Sequence, residues 1–354
     1  MAQRYQAPFL HGLTRRLFEA VDAPRHVADV IAEMLVGANL RGHDSHGILR
    51  VPGYLEGFQK GGGYPAEEPT FEDLGARTGS CDGGGGSGLY TAKVATEHAI
   101  EKARELETYR ITVKNMGHIG RLGAYAEIAA EAGCIGIITS GSGGPGRGRI
   151  LPYGGSKPAL GTNPMAIGVP TGDDAPFVID YATSAIAAGK MFFAETQGKD
   201  LREDCIVDKE GQPTVKVQDY YDGGNLLAFG RHKGYAMSLV VSLLGGLTGG
   251  LDPEAQSMGG CLIQIMNVEA FTPLNAYQNG VRAFLDNIKQ TPPATGFNEV
   301  LVPGDPEDIA RRDRLTNGIE VWDMTIDGIR EWADKLDVNW NDDLVEASDT
   351  ERYK

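Results

Sequence analysis

Residues 80–100 read SCDGGGGSGLYTAKVATEHAI, and the fold turns on how that stretch is read. Gly83, Gly85 and Gly88 fall at the G-x-G-x-x-G spacing of a dinucleotide-binding turn, and an amphipathic helix follows. A working turn of that kind has a buried strand directly before it, so that a pyrophosphate meets the helix N-terminus at the sheet edge. It also has an acid about 20 residues on, closing the second strand and holding the ribose hydroxyls. The residues before it, Asp73 to Asp82, are polar and turn-like rather than a Val/Ile run, so no strand is expected there. The next strand, Ile111 to Lys114, runs into Asn115 with no acid in place. The sequence therefore predicts a flexible turn entering a helix, with any cofactor seated elsewhere.

Outward from this stretch the pattern alternates. Helix is expected at 92–106, strand at 111–114, helix at 124–132 and strand at 135–139. Short buried strands follow at 166–169 and 177–179, then a long apolar helix at 235–247, a strand at 262–268 and a helix at 276–289. Two amphipathic helices open the chain, one carrying Phe9, Leu10, Leu13, Leu17 and Phe18, the other Val27, Val30, Ile31, Met34, Leu35 and Ala38. A third helical pattern runs from Ile48 to Phe58, and the tail from Glu307 is helical and acidic. This is an α/β protein whose helical ends are placed to pack together.

The 354 residues are enough for two modest domains or one large one. Apolar content of 41% and charged content of 23% are those of a soluble globular chain. No stretch has the apolar length to span a bilayer, and MAQRYQAPFLHG lacks a secretory apolar segment. Cys81, Cys134, Cys205 and Cys261 are scattered without CxxC spacing, which indicates neither zinc nor a disulfide framework and makes a reducing cytoplasm the expectation. A net charge of -15 disfavours nucleic acid and anionic membrane as partners. An anionic substrate must then be drawn in by local cations.

His46 lies in GHDSHG with Arg50 four residues on. If the segment enters a helix there, imidazole and guanidinium share a face. That pairing suits a 2-oxo acid, with Arg forking onto the carboxylate while His protonates the adjacent oxygen. A helix-entry turn with surface His and Arg would show the same spacing. A metal reading of the His43-x-x-His46 spacing, with Asp44 beside it, is weak because no further ligand sits at a recognisable spacing. A hydrolase reading of Ser45 and His46 is weak because neighbouring side chains diverge on helix or strand. His118 sits between a strand and a helix in NMGHIGRLG, where backbone amides and Arg121 would cradle an anion. GTNP at 161–164 and DYATS at 180–184 each abut a strand end. The cations of RHKG at 231–234 oppose a helix dipole unless an anion binds there.

In order, RGHDSHGILR, HIGRLGAYAE, LGTNPMAIGVPTG, DYATS, HKGY and VLVPGDPED resemble the type 2 malate/L-lactate dehydrogenases, from about residue 8 to about residue 338. That family includes ureidoglycolate and sulfolactate dehydrogenases and the diketogulonate and piperideine-2-carboxylate reductases. The resemblance implies a non-Rossmann fold, with a mixed-sheet cofactor domain at 73–300 and a helical domain built from both ends, 1–72 and 301–354. It implies Ser45 as orienting group and His46 as proton donor and acceptor, with His118 as the competing base. Arg50 becomes the carboxylate anchor, with Thr162 and Asn163 lining the substrate pocket. His118, Ile119, Gly120, Arg121, Leu122, Ser142, Asp180, Tyr181, Ala182, His232 and Lys233 match cofactor-contacting positions, and the cofactor is NAD or NADP. No metal is implied. A homodimer with a composite site is implied. Arg231 and Ala236 replace glycines usual around HKGY, Tyr181 stands where Met is common, and Ala228 replaces a usual Pro. The reading that results is hydride transfer at C2 of a small 2-hydroxy or 2-oxo acid. Its rivals are cyclic imine reduction and a non-catalytic anion-binding protein on the same scaffold.

Overall fold

A computed structural model describes residues 2–353 apart from 173–174, 188–189, 192–193, 196–197, 250, 253, 255 and 342–344. The chain opens with a short strand, β1 (Ala2–Tyr5), then three helices, α1 (Ala7–Glu19), α2 (Arg25–Leu40) and α3 (Val51–Gln59). The apolar positions read from the sequence are the buried ones: Leu10, Leu13, Leu17 and Phe18 on α1, and Val27, Ile31 and Leu35 on α2. Each contributes roughly 1.5–3 kcal/mol of burial.

The stretch before the glycines is not a turn. Thr70–Gly75 (β2) and Thr78–Gly86 (β3) are paired strands, so the expectation of a turn over 73–82 is corrected, and so is that of a flexible turn at the glycines as far as Gly86. Polar residues hold strand conformation here because β3 is bonded on both sides, antiparallel to β2 and parallel to β4 (Thr108–Met116), with Cys81 buried between them. Helix α4 (Gly88–Leu106) crosses between β3 and β4, which makes a parallel strand–helix–strand unit. The α4 N-terminus is nevertheless closed to a ligand. A Cβ on Gly88 would lie 2.1 Å from the Gly117 carbonyl oxygen, so the chain leaving β4 covers the helix end. Ser87 caps it, its side chain accepting from the Tyr90 amide.

Beyond α4 come α5 (Gly123–Glu131), β5 (Cys134–Gly143), β6 (Met165–Val169) and β7 (Phe177–Tyr181). Short strands β8 (Ile206–Val207), β9 (Pro213–Thr214) and β10 (Asn225–Leu226) surround helix α6 (Val217–Tyr221). Then follow α7 (His232–Gly245), β11 (Leu251–Asp252), β12 (Ser257–Asn267) and α8 (Leu274–Lys289). The chain closes with α9 (Asp305–Asn317), β13 (Ile319–Trp322), α10 (Asp323–Lys335) and α11 (Ala347–Arg352).

The main sheet runs β2-β3-β4-β12-β5-β6-β7, with β11 folding back on β12. Every neighbouring pair is antiparallel except β3 and β4, so the sheet is mixed and not doubly wound. Helices cover both faces. On β5, Gly136 lies against Ala129 of α5, while Gly141, on the opposite face, lies against Val241 of α7. A second small core gathers Ile150, Leu160, Met191, Cys205, Ile206 and Leu226 around a sheet ordered β10-β8-β9.

The two chain ends meet. β1 pairs antiparallel with β13, and α11 docks on α1 through a buried ion pair between Arg15 and Asp349 at 2.5 Å. His11, fully buried, bonds Asp29 on α2 and the Tyr353 hydroxyl, each at 2.9 Å. The four cysteines are free and buried. Among the described residues no helix is long and apolar enough to cross a membrane.

Candidate active site

The GHDSHG segment leaves α2 through two tight 3₁₀ turns, Asp44–His46 and Ile48–Arg50, before α3 begins. Buried Asn39 organises both: its Oδ1 accepts from the Ile48 amide at 2.8 Å and its Nδ2 donates to Asp44 at 2.6 Å. A Cβ on Gly47 would fall 2.1 Å from Asn39 Oδ1, so the close approach needs glycine. Arg314 of α9 grips Asp44 at 2.6 and 3.0 Å, and His43 faces Glu307 at 3.2 Å. His43 and Asp44 are thus tied to Glu307 and Arg314 of the C-terminal segment and do not form the metal cluster considered from the sequence.

The tight turn also brings adjacent side chains together, which helix or strand geometry would not. Ser45 Oγ and His46 Nδ1 are 3.0 Å apart. Arg50 folds back, its Nε donating to the Ser45 carbonyl at 2.7 Å, and no partner is recorded for its terminal amino groups among the described residues.

His46 meets His118 across a cleft of about 410 Å³. The walls are His46, residues 113–120 at the end of β4, Ser140–Ser142 on β5, Gly161–Pro164, and Gly260 and Cys261 on β12. The two imidazoles stack with centroids 5.8 Å apart and planes 14° apart. His118 Nδ1 lies 2.5 Å from the Tyr54 hydroxyl of α3 and 3.3 Å from the Gly120 amide. Burial and the nearby His118 and Arg50 push the His46 pKa down to about 3. Burial and Arg50 push that of His118 down to about 4. Both rings are neutral near pH 7, held so by surrounding protein and by mutual positive charge.

The other residues named from the sequence divide. Ile119, Gly120, Leu122, Ser142, Thr162 and Asn163 are in the cleft wall. Asn163 turns its amide inward, donating to the Ser238 carbonyl and to the Ser238 and Ser242 hydroxyls and accepting from the Ser142 amide. It therefore ties β5 to α7. Arg50 is not in the cleft wall but lies close enough to both histidines to lower their pKa values. Arg121 is buried and paired with Glu127 at 2.6 Å, so its charge is engaged within the protein rather than free at the surface. Asp180 caps α5, its carboxylate accepting from the Gly123 amide at 2.7 Å, and burial raises its pKa. Tyr181 packs edge-on against Phe229, and Ala182 adjoins Thr183, whose amide bonds the Thr162 carbonyl. His232 and Lys233 begin α7 outside the cleft wall, His232 edge-on to Tyr153. Tyr54 and Lys114 were not singled out from the sequence. Tyr54 lies four residues after Arg50, on the helical face that carries the anchor, and that spacing was the available signal.

A sequence model of the malate/L-lactate dehydrogenases matches residues 5–330. The chain belongs to this family. It is 32% identical over 344 residues to hydroxycarboxylate dehydrogenase B of Escherichia coli K12, covering 93% of this chain and 94% of the relative. It is 32% identical over 345 residues to a Delta(1)-pyrroline-2-carboxylate/Delta(1)-piperideine-2-carboxylate reductase of Pseudomonas syringae, covering 94% and 96%. The solved malate dehydrogenase of Entamoeba histolytica superposes with a TM-score of 0.89 at 25% identity, over 96% of this chain and 99% of that one. The protein is accordingly an enzyme, an oxidoreductase of the hydroxy acid dehydrogenase family, and the non-catalytic reading is set aside. The family implies a nicotinamide cofactor. The residues present fit one. Gly117, Gly120, Gly141, Gly161 and Gly260 line the cleft, and their missing side chains let a ligand approach the backbone closely.

Proposed function

We propose that the enzyme interconverts a small 2-oxo acid and its 2-hydroxy acid with NAD or NADP. A nicotinamide held in this cleft would supply or accept the hydride at C2. His46 gives the proton to the C2 oxygen in reduction and takes it back in oxidation, while Ser45 holds its Nδ1 edge. Arg50 presents its terminal amino groups to the substrate carboxylate, its Nε being held by the Ser45 carbonyl. Thr162 and Asn163 border the substrate. His118, Ile119, Gly120, Arg121, Leu122, Ser142, Asp180, Tyr181, Ala182, His232 and Lys233 serve the cofactor side.

The observation that carries this reading is the stacked imidazole pair beside one guanidinium on a chain of net charge -15. An entering carboxylate neutralises Arg50, which relieves one of the charges that hold His46 unprotonated. The substrate thereby helps charge its own proton donor.

Cyclic imine reduction is the second reading, favoured by the 32% identity to the reductase from Pseudomonas syringae. There His46 would protonate a ring nitrogen beside the same carboxylate. Following NADH and NADPH consumption with pyruvate, oxaloacetate, hydroxypyruvate, phenylpyruvate and piperideine-2-carboxylate separates the two. Turnover of the oxo acids supports the first reading, and turnover of the imine alone replaces it with the second.

We also propose a homodimer. Helix α7 buries its small and polar residues, including Ser238 and Ser242, and leaves Leu239, Val240 and Leu243 exposed, an apolar face suited to a second copy. The pairing of β1 with β13 supports a helical domain drawn from residues 1–72 and 301–354 around the 73–300 segment.

A further inference from the structure

His118 sits in the cleft with its ring orientation and proton position set by the Tyr54 hydroxyl and the Gly120 amide. The Gly120 amide, 3.3 Å from His118 Nδ1, can only donate. Nδ1 must therefore offer a lone pair. The Tyr54 hydroxyl, 2.5 Å from the same nitrogen, meets that lone pair and donates as well. A neutral imidazole that accepts at Nδ1 carries its proton on Nε2.

We infer, on the reading that this cleft is the reaction site, that Tyr54 is a positioning residue. Its hydroxyl and the Gly120 amide together fix His118 as a neutral imidazole that presents an Nε2–H donor to the cleft. Burial supports this by pushing the Tyr54 pKa up to about 12, so that its hydroxyl keeps the proton it donates.

The two histidines thereby differ in kind. A second proton on His118 would have to enter at Nδ1, where it would confront the Gly120 N–H. His46 has no such block, because its Nδ1 partner is the Ser45 hydroxyl, which can donate to the neutral ring or accept from the charged one. His46 can cycle between neutral and protonated forms during turnover, while His118 remains a fixed N–H donor toward an oxygen of the bound nucleotide. Among the described residues no hydrogen-bond partner is recorded for Nε2 of either ring, which leaves both edges available to ligands.

The test is nitrogen NMR of histidine-labelled protein without cofactor or substrate, with His118 signals assigned by their loss in His118→Gln. Wild type should show His118 in the Nε2–H form and unprotonated well below the usual histidine pKa. In Tyr54→Phe the second tautomer should appear, since only the Gly120 amide, 3.3 Å away, then opposes an Nδ1–H. The Kd for NAD(P)H should rise roughly tenfold, equivalent to about 1.4 kcal/mol, and the His46 titration should hold its position. An Nδ1–H tautomer in wild type would overturn the inference, even if the variant failed to fold. So would a tautomer change without a change in Kd, or a change in Kd without a tautomer change. Absence of turnover with every oxo acid, with the wild-type tautomer as described, would instead overturn the proposed reaction.

Discussion

Replacing Arg50 by Lys keeps the charge and removes the geometry on which carboxylate recognition depends. Arg50 does two jobs at once: Nε holds the Ser45 carbonyl at 2.7 Å while the two terminal amino groups stay available to a ligand. An ammonium is a single point and cannot hold the carbonyl and grip a carboxylate at two points together. At least one charge-assisted hydrogen bond is lost, worth about 1.5–3 kcal/mol. The untethered Ser45 carbonyl also loosens the turn that carries His46, and a misplacement of about 1 Å can cost about 100-fold in rate. We expect kcat/KM for 2-oxo acids to fall by at least about 100-fold, or about 2.7 kcal/mol. The assay is NAD(P)H oxidation under substrate-limiting conditions, with cofactor Kd measured in parallel by fluorescence. Cofactor binding should hold, and ketones without a carboxylate, poor substrates from the start, should lose less than 2-oxo acids, since only the loosened turn affects them. Normal turnover of 2-oxo acids by Arg50→Lys would mean that the carboxylate is held elsewhere and would refute the reasoning.

Two further outcomes follow from the same geometry. Oxidation of a 2-hydroxy acid needs an unprotonated His46, and with its pKa held near 3 in the free enzyme the base form is complete from mildly acidic to neutral pH. The profile of kcat/KM for oxidation should therefore be flat through pH 6.5, and an acid limb near that value would show a solvated histidine instead. Asp349→Asn should leave Arg15 buried with part of its compensation gone, since Glu346 at 2.9 Å and Asp29 at 3.5 Å remain. The cost should lie near the low end of the range for broken buried pairs, about 3 kcal/mol by denaturant unfolding, and a loss below about 1 kcal/mol would mean that the C-terminal clasp is decorative.

The sequence carried the regular elements and missed what depends on neighbours. Helices α1, α2, α4 and α5 were legible because their apolar residues recur at helical spacing and are the ones buried. Strand β3 was not, because Thr78–Asp82 is polar and has no Val/Ile run; pairing with β2 and β4 imposes the conformation there, and of the four glycines that follow only Gly86 is paired. β1 and β13 are short and stabilise each other across more than three hundred residues of chain, a contact that no local pattern announces. At the site, His46, Arg50 and His118 could be picked out by residue type and context. The Ser45–His46 contact could not, because it requires a 3₁₀ turn rather than a helix. The Tyr54–His118 contact was hidden for a related reason: the two residues lie 64 positions apart, and only the packing of α3 against the end of β4 brings them together. The inward turn of the Asn163 amide depends likewise on Ser238 and Ser242 of α7.

The most direct test of the account is a parallel measurement on His46→Ala of kcat for 2-oxo acid reduction and of NAD(P)H dissociation. If His46 exchanges the proton with the C2 oxygen, kcat falls by roughly 10²- to 10⁴-fold while the cofactor Kd is nearly untouched. A His46→Ala enzyme that keeps its kcat, or that loses cofactor affinity in place of rate, would contradict the assignment.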